Sequence, residues 1–368
     1  MKQLRTAFWV LGIIFFFCGE VHAFTSYRLP NPLGWMHFLP AGEAPGWQKP
    51  FWVQLEMGHA NIWNAPIDLQ NNTNGDLYSY FADFETSYSV LEMGFALFPS
   101  LSLSFEVPYT YMGTGFLDAL IDAFHVMIGG NRYSRPNYPR DAFNFDIKTN
   151  GVDYFPENTS YFDGVNNWKI KSKWWFYQKK SYSCACGLSL SLQVKFPGRT
   201  NTNMLSSGDL DYSALLHMGF PIFKESAMWL TMGATYLGEN KAFEGWPRYR
   251  VIQMYESSFD FSVDRYWGIL FQVRAESPFM KREGLTIIDY SGDPYQEVVN
   301  RVSSGWNSLV NWRGSEAFGA RYRTSSGSQW NFLFIEDWGA GGYDDRGDYL
   351  YVNNAPDLVF LLQYFSSF

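Results

Sequence analysis

Twelve stretches of this chain alternate apolar and polar residues with a period of two, and the links joining them are short and long in strict turn. Period two is what an extended strand presents to its two faces. Phe51 to Ile62 sets Phe51, Val53, Leu55 and Met57 against Trp52, Gln54, Glu56 and Gly58. The same pattern returns over 78–98, 101–112, 167–178, 184–196, 209–220, 227–237, 249–262, 266–276, 315–324, 329–337 and 356–368. The links 99–100, 179–183, 221–226, 263–265 and 325–328 are tight, whereas 63–77, 113–166, 197–208, 238–248, 277–314 and 338–355 are long. An even number of strands with alternating tight and long connections is the pattern of an all-β, transmembrane, antiparallel up-and-down β-barrel, with tight periplasmic turns and extended outer loops. Both chain ends then fall on the tight-turn side.

Composition agrees with a wall that has lipid on one face and a polar lumen on the other. There are 33 Phe, 24 Tyr and 15 Trp, together 20% of the chain, which fits aromatic girdles at two membrane interfaces. Mean hydropathy is nevertheless −0.22, because inward polar positions cancel outward apolar ones. Beyond the first residues no apolar run approaches the roughly 18 residues of a spanning helix.

Residues 1–23 read as a secretory signal peptide: Lys2 and Arg5 precede an apolar core, and Val21, His22 and Ala23 form a small-x-small cleavage site. Cys18 follows Phe15, Phe16 and Phe17, which is wrong for a lipid-anchor signal. Taking Lys2, Arg5 and Glu20 from the 28 basic and 36 acidic residues leaves 26 against 35, about −9 for the mature chain. That balance argues against a nucleic-acid partner. Residues 24–50 carry Pro30, Pro32, Pro40, Pro45 and Pro50 and read as a coil, in the periplasm or in the lumen; the barrel proper is 51–368.

The last residues, PDLVFLLQYFSSF, place Leu358, Phe360, Leu362 and Tyr364 on one row and end on Phe368. Such an ending resembles the closing strand and assembly signal of bacterial outer-membrane barrels, in which Phe368, Tyr364 and Phe360 would be read by the barrel-assembly machinery. Within the loop 113–166, Phe116, Leu117, Leu120, Ile121, Phe124 and Ile128 recur at helical spacing, with Asp118, Asp122 and His125 opposite and Gly129 and Gly130 after them. Together with Asn31 and Pro32, the Pro108–Tyr109 strand end, Gly115 to Asp118 and the Arg135 to Arg140 loop, these residues resemble bacterial domain-of-unknown-function family 3187, whose members look like outer-membrane barrels. The resemblance implies fold and compartment, with outer-membrane lipid and lipopolysaccharide as surroundings; it implies no activity.

Several constellations have a sharper and a plainer reading. The 115–128 helix is a cap or lumen plug that presents Asp118, Asp122 and His125 to a ligand path, or an amphipathic helix at the membrane interface. Lys169, Lys171 and Lys173 share an inward face with Lys195, Arg274, Arg321 and Arg323, an anion-attracting stripe. Glu56, Glu92, Glu106, Glu256 and Asp260 also point inward, so the plainer reading, a lumen neutralised by ion pairs, is favoured. Cys184 and Cys186 sit on the apolar row, their Cα atoms separated along one strand by close to the limit for a disulfide, and read as small apolar side chains. Asp211, Ser213 and His217 share one strand face but are not thereby a triad. No metal or cofactor is expected. The chain therefore reads as a narrow pore or uptake channel for small molecules, apolar or aromatic ones among them, with the 24–50 segment and the 115–128 helix occluding or gating it. Alternatives are a surface-interaction barrel binding through Tyr343, Tyr349 and Tyr351, and a barrel-embedded hydrolase around His217 or His59.

Overall fold

The computed structural model describes residues 27–28, 30–37, 39–43, 50–127, 139–155, 159–178, 187–198, 205–223, 226–288, 309–338, 342–343, 349–350 and 358–368. The signal segment, Cys184, Cys186 and Tyr351 lie outside these residues.

The protein is a closed antiparallel barrel of twelve strands. These are β1 (Phe51–Asn71), β2 (Leu77–Phe98), β3 (Leu101–Gly113), β4 (Trp168–Gln178), β5 (Gly187–Phe196), β6 (Asp211–Phe223), β7 (Ser226–Tyr236), β8 (Val251–Ser262), β9 (Trp267–Glu276), β10 (Arg313–Arg323), β11 (Gln329–Trp338) and β12 (Leu358–Ser367). Each pairs with its sequence neighbours, and β1 closes on β12 in a register running from Trp52 opposite Ser367 to Asn61 opposite Leu358. Closure leaves no strand edge with unpaired backbone groups facing lipid.

Alternation sorts the side chains. Outward residues such as Met57, Leu91, Met93, Phe105, Ile269 and Phe332 are exposed, while the inward Glu56, Val90, Ser191, Gln272 and Arg321 are buried. A belt of exposed apolar side chains around a closed barrel requires a lipid solvent, so the protein resides in the bacterial outer membrane. No helix among the described residues is long and apolar enough to cross a membrane.

The outer side departs from the sequence reading. The 63–77 link is not a loop: β1 and β2 continue past the rim as a hairpin, pairing as far as Gln70 with Leu77. A register shift between Asn64 and Ile67 marks where β1 passes Pro66, which cannot donate to the ladder. Four short strands from the outer loops join this sheet: Asn144–Thr149 on β2 with Val152–Asp153 beside it, Phe162–Val165 on β3 and Leu285–Ile287 on β1. The apolar residues of those loops explain the extension, because they roof the outer mouth. Tyr78 stacks on Trp246 at 4.7 Å, and Phe145 meets Phe155 at 5.1 Å. Phe155 continues to Phe162 at 5.3 Å, and Phe243 meets Phe279 at 5.1 Å.

The described residues between 27 and 43, expected as coil, include a helix, α1 (Pro32–His37), and lie inside the barrel. Pro32 at the first helical position has no N–H to leave unsatisfied. Asn31 accepts a hydrogen bond from the Gly34 N–H with its side chain, and its carbonyl accepts the Trp35 N–H at 3.0 Å. Tyr27, Leu33, Trp35, Met36 and Leu39 belong to one apolar cluster with the aromatic roof.

Candidate functional site: the occluded lumen

The lumen is built from wall residues at inward parity and from the N-terminal segment that crosses it. On one wall Arg28 forms ion pairs with Glu106 of β3 and, at 3.3 Å, with Glu56 of β1. Glu106 also meets Lys169 at 3.3 Å. At the far end of the segment, Glu43 pairs with Lys171 and, at 3.1 Å, with Lys173. Lys171 reaches Glu92 at 2.6 Å. Arg274 of β9, on the other side of the bore, donates to the backbone carbonyls of Tyr27 at 3.3 Å and Pro40 at 2.7 Å. It is itself balanced by Glu276 and, at 3.7 Å, by Glu256.

Helix α1 is fixed by groups from wall and roof. Asn167 donates to the carbonyls of Trp35 and Met36 at 2.9 and 2.8 Å, and the Ser207 N–H donates to Met36. His37 pairs with Asp211 at 3.2 Å, and Asp211 holds Lys195 at 3.0 Å. Burial pushes the His37 imidazole below its ordinary pKa, against the pull of Asp211. For Glu43 the two ammonium groups outweigh a larger burial cost than either alone and hold its carboxyl below the usual range. Trp35 meets Tyr88 edge-on at 4.9 Å. Among the described residues, Arg28, Ala41, Gly42, Glu43, Glu106 and Lys171 line a cavity of about 10 Å³, room for about one water.

The inward charges named from the sequence are therefore paired with one another and with the segment. Lys169, Lys171, Lys173, Lys195, Arg274, Glu56, Glu92 and Glu106 surround residues 27–43, whereas Arg321 and Arg323 share Asp260 at 2.7 and 3.2 Å. The lysine row is a set of buried ion pairs rather than an open anion stripe. Sequence reasoning missed Arg28, His37 and Glu43. A signal was available: these are the charged or titratable residues of an otherwise apolar, proline-punctuated stretch that has no reason to sit in water.

The 115–128 helix is observed as α2 (Asp118–Met127), and the described side chains place it on the outer wall. Leu117 and Ile121 pack on Leu358 and Phe334 beside the closing seam, while Phe116 and Leu120 are 70% and 51% exposed. Asp118 is bonded to Asn61 of the barrel wall at 2.9 Å, and Asp122 to Arg140 of the following loop at 2.7 Å. Phe116 and Leu120 are thus turned away from the barrel wall, the orientation expected of an amphipathic helix at the membrane interface. The side chains of Phe124 and His125 lie outside the described residues.

The hydrolase constellation is not assembled. His217 bonds Ser191 at 2.7 Å and Thr231 at 3.1 Å, Ser213 bonds Thr235 at 2.9 Å, and Asp211 is held by His37 and Lys195. His59 bonds Ser87 and Glu85 on the outer wall. Tyr343 and Tyr349 pair in a small separate hairpin. At the terminus Phe360 is exposed at outward parity, Tyr364 meets Trp330 at 4.6 Å, and the Phe368 N–H donates to the Phe51 carbonyl at 2.8 Å.

No curated protein matches the chain by sequence. Among solved structures it is similar to the COG4313 outer-membrane channel from Pseudomonas putida F1, at 11% identity over 90% of this chain and 97% of that one, with a TM-score of 0.50. A Pseudomonas aeruginosa FadL homologue matches at 12% identity over 96% and 99% of the two chains, with a TM-score of 0.41. Identity at this level is a likeness of fold. A family model described as "Protein of unknown function (DUF3187)" matches residues 47–286, well over half of the chain, which takes in β1 to β9 and the roof between them, and the protein belongs to that family.

Proposed function

We propose that the protein is an outer-membrane uptake channel for small apolar or aromatic molecules, kept shut by its own N-terminal segment. The observation that carries this reading is the placement of residues 27–43 across the bore, tied to one wall through Arg28 and Glu43 and to the other through Arg274. A barrel built only as a scaffold gains little from so many buried ion pairs, since apolar packing of equal volume is as stable or more so. Ion pairs can instead be exchanged one for another, so a segment seated on them can leave without tearing the wall. The aromatic roof, from Tyr78 and Trp246 to Phe145 and Phe155, supplies flat apolar surfaces on the outer side of that segment. The Pseudomonas putida protein of the same fold is called an outer-membrane channel, and transport is carried over on that basis. No catalytic step belongs to this reading. Insertion by the barrel-assembly machinery and contact with lipopolysaccharide accompany it.

The test is conductance of the refolded mature protein in planar bilayers beside a variant lacking residues 24–43. The intact chain is expected to be closed with rare openings, and the deletion to conduct steadily. A deletion that folds, as judged by its heat-dependent gel mobility, yet stays closed would overturn the gate.

A further inference from the structure

Glu43 belongs to the segment, whereas the groups that receive its carboxylate belong to the wall. One oxygen is held by Lys171 Nζ and the other by Lys173 Nζ at 3.1 Å, so both face β4. The Glu43 N–H donates to His217 Nδ1 at 3.4 Å, and His217 Nε2 meets Ser191 Oγ at 2.7 Å. Lys171, Lys173, Ser191 and His217 are all buried. Two ammonium groups closing on the two oxygens of one carboxylate make charge-assisted hydrogen bonds, the strong kind.

The cradle does not depend on the segment for its shape. Lys171 and Lys173 stand two residues apart on β4, which is paired with β3 on one side and β5 on the other. Glu43 does not fill the cradle, because the cavity beside it reaches Glu92, Lys171 and Gln193. Lys171 also holds Glu92 at 2.6 Å. What can replace Glu43 here is therefore another single negative charge; a doubly charged phosphate would set its second charge against Glu92.

Beyond the ammonium groups the wall turns apolar. Lys173 is opposite Ser191, and Ser191 is opposite Leu215, two strand spacings or about 10 Å away. Leu215 is buried at inward parity. Trp229 of β7, opposite Gly219, is buried in the apolar cluster that also holds Trp35 and Leu39 of the segment. From charge to flat apolar surface the wall spans the scale of one ring and its carboxylate.

We propose that Lys171 and Lys173 form a carboxylate-binding site of the bore, which Glu43 fills in the closed chain as an internal stand-in for a small aromatic monocarboxylate. This narrows the substrate class of the channel reading and rests on it. The ligand's carboxylate takes the place of Glu43, its ring lies toward Leu215 and Trp229, and the segment loses one of its anchors.

The experiment titrates the mature protein in detergent with benzoate by calorimetry, beside Glu43→Gln and the chain lacking residues 24–43. Removing the internal competitor raises the fraction of chains whose site is free, so both variants are expected to bind benzoate at least ten-fold more tightly than the wild type. Benzyl alcohol, with the ring and no charge, and acetate, with the charge and no ring, are each expected to bind at least ten-fold more weakly than benzoate. Lys173→Met placed on Glu43→Gln should remove the benzoate heat while Lys173→Arg keeps it; should the Met variant fail to fold, the two probe comparisons decide alone. Equal benzoate affinity in Glu43→Gln and wild type, or benzyl alcohol or acetate binding as tightly as benzoate, overturns the site. Benzoate binding to a deletion that does not conduct supports the site and sinks only the gate, whereas a conducting deletion without benzoate binding sinks only the site.

Discussion

Arg28 faces two carboxylates at once, Glu106 and Glu56, and neither has solvent to fall back on. Arg28→Met would leave both acids buried with a cation missing, and breaking such a pair costs about 3–5 kcal/mol. The expected outcome is a lower melting temperature together with more frequent openings in planar bilayers; a stable variant with no change in openings would remove Arg28 from the gate. Glu43 gives a pH dependence whose sign follows from its lowered carboxyl. A group depressed in the folded state contributes stability that is complete above the unfolded pKa and is lost as pH falls through the folded one. Seating of the segment should hold at neutral pH and weaken only below about pH 4, the ordinary glutamate range. Openings counted across pH, beside Glu43→Gln with that acid response flattened, check it.

Strands, helix and segment were legible from the sequence to different degrees. β1 to β12 were readable because alternation in a wall between lipid and lumen is strict: Lys169, Lys171 and Lys173 share an inward face whatever they bind. The packing behind that face was not readable. Gly94 of β2 is an example, since a Cβ there would lie 2.0 Å from the Trp52 indole across the pair. Gly94→Val is expected to cost about 1–3 kcal/mol by overpacking, seen as a lower temperature for the gel-mobility change, whereas an unchanged transition would mean that Trp52 swings away. The amphipathicity of α2 was readable, but which side would meet the barrel was not, and the plug and membrane-interface readings both stayed open. On a membrane barrel both sides of a helix can be apolar: Leu117 and Ile121 pack on Leu358 while Phe116 and Leu120 turn out. A hydrophobic stripe says that two environments differ and leaves open which one is the protein.

At the scale of the whole molecule, closure depends on the last strand finding the first. Phe51 and Phe368 exchange backbone hydrogen bonds at 3.4 and 2.8 Å, and their rings lie 5.9 Å apart. Removing Phe368 should lower the fraction of chain that folds into membranes, measured by heat-dependent mobility, while the barrels that do form keep their melting temperature; a normal yield would leave the terminal aromatic without an assembly role. The sequence by itself determined the barrel, its twelve strands, their inward and outward faces and the side on which the loops are long, because each follows from period two and link length, which are local. Only the tertiary structure decided that residues 27–43 enter the bore, that the inward charges are spent on holding them, and that Glu43 meets Lys171 and Lys173. Those facts join positions far apart along the chain, through ion pairs whose partners composition and periodicity cannot name.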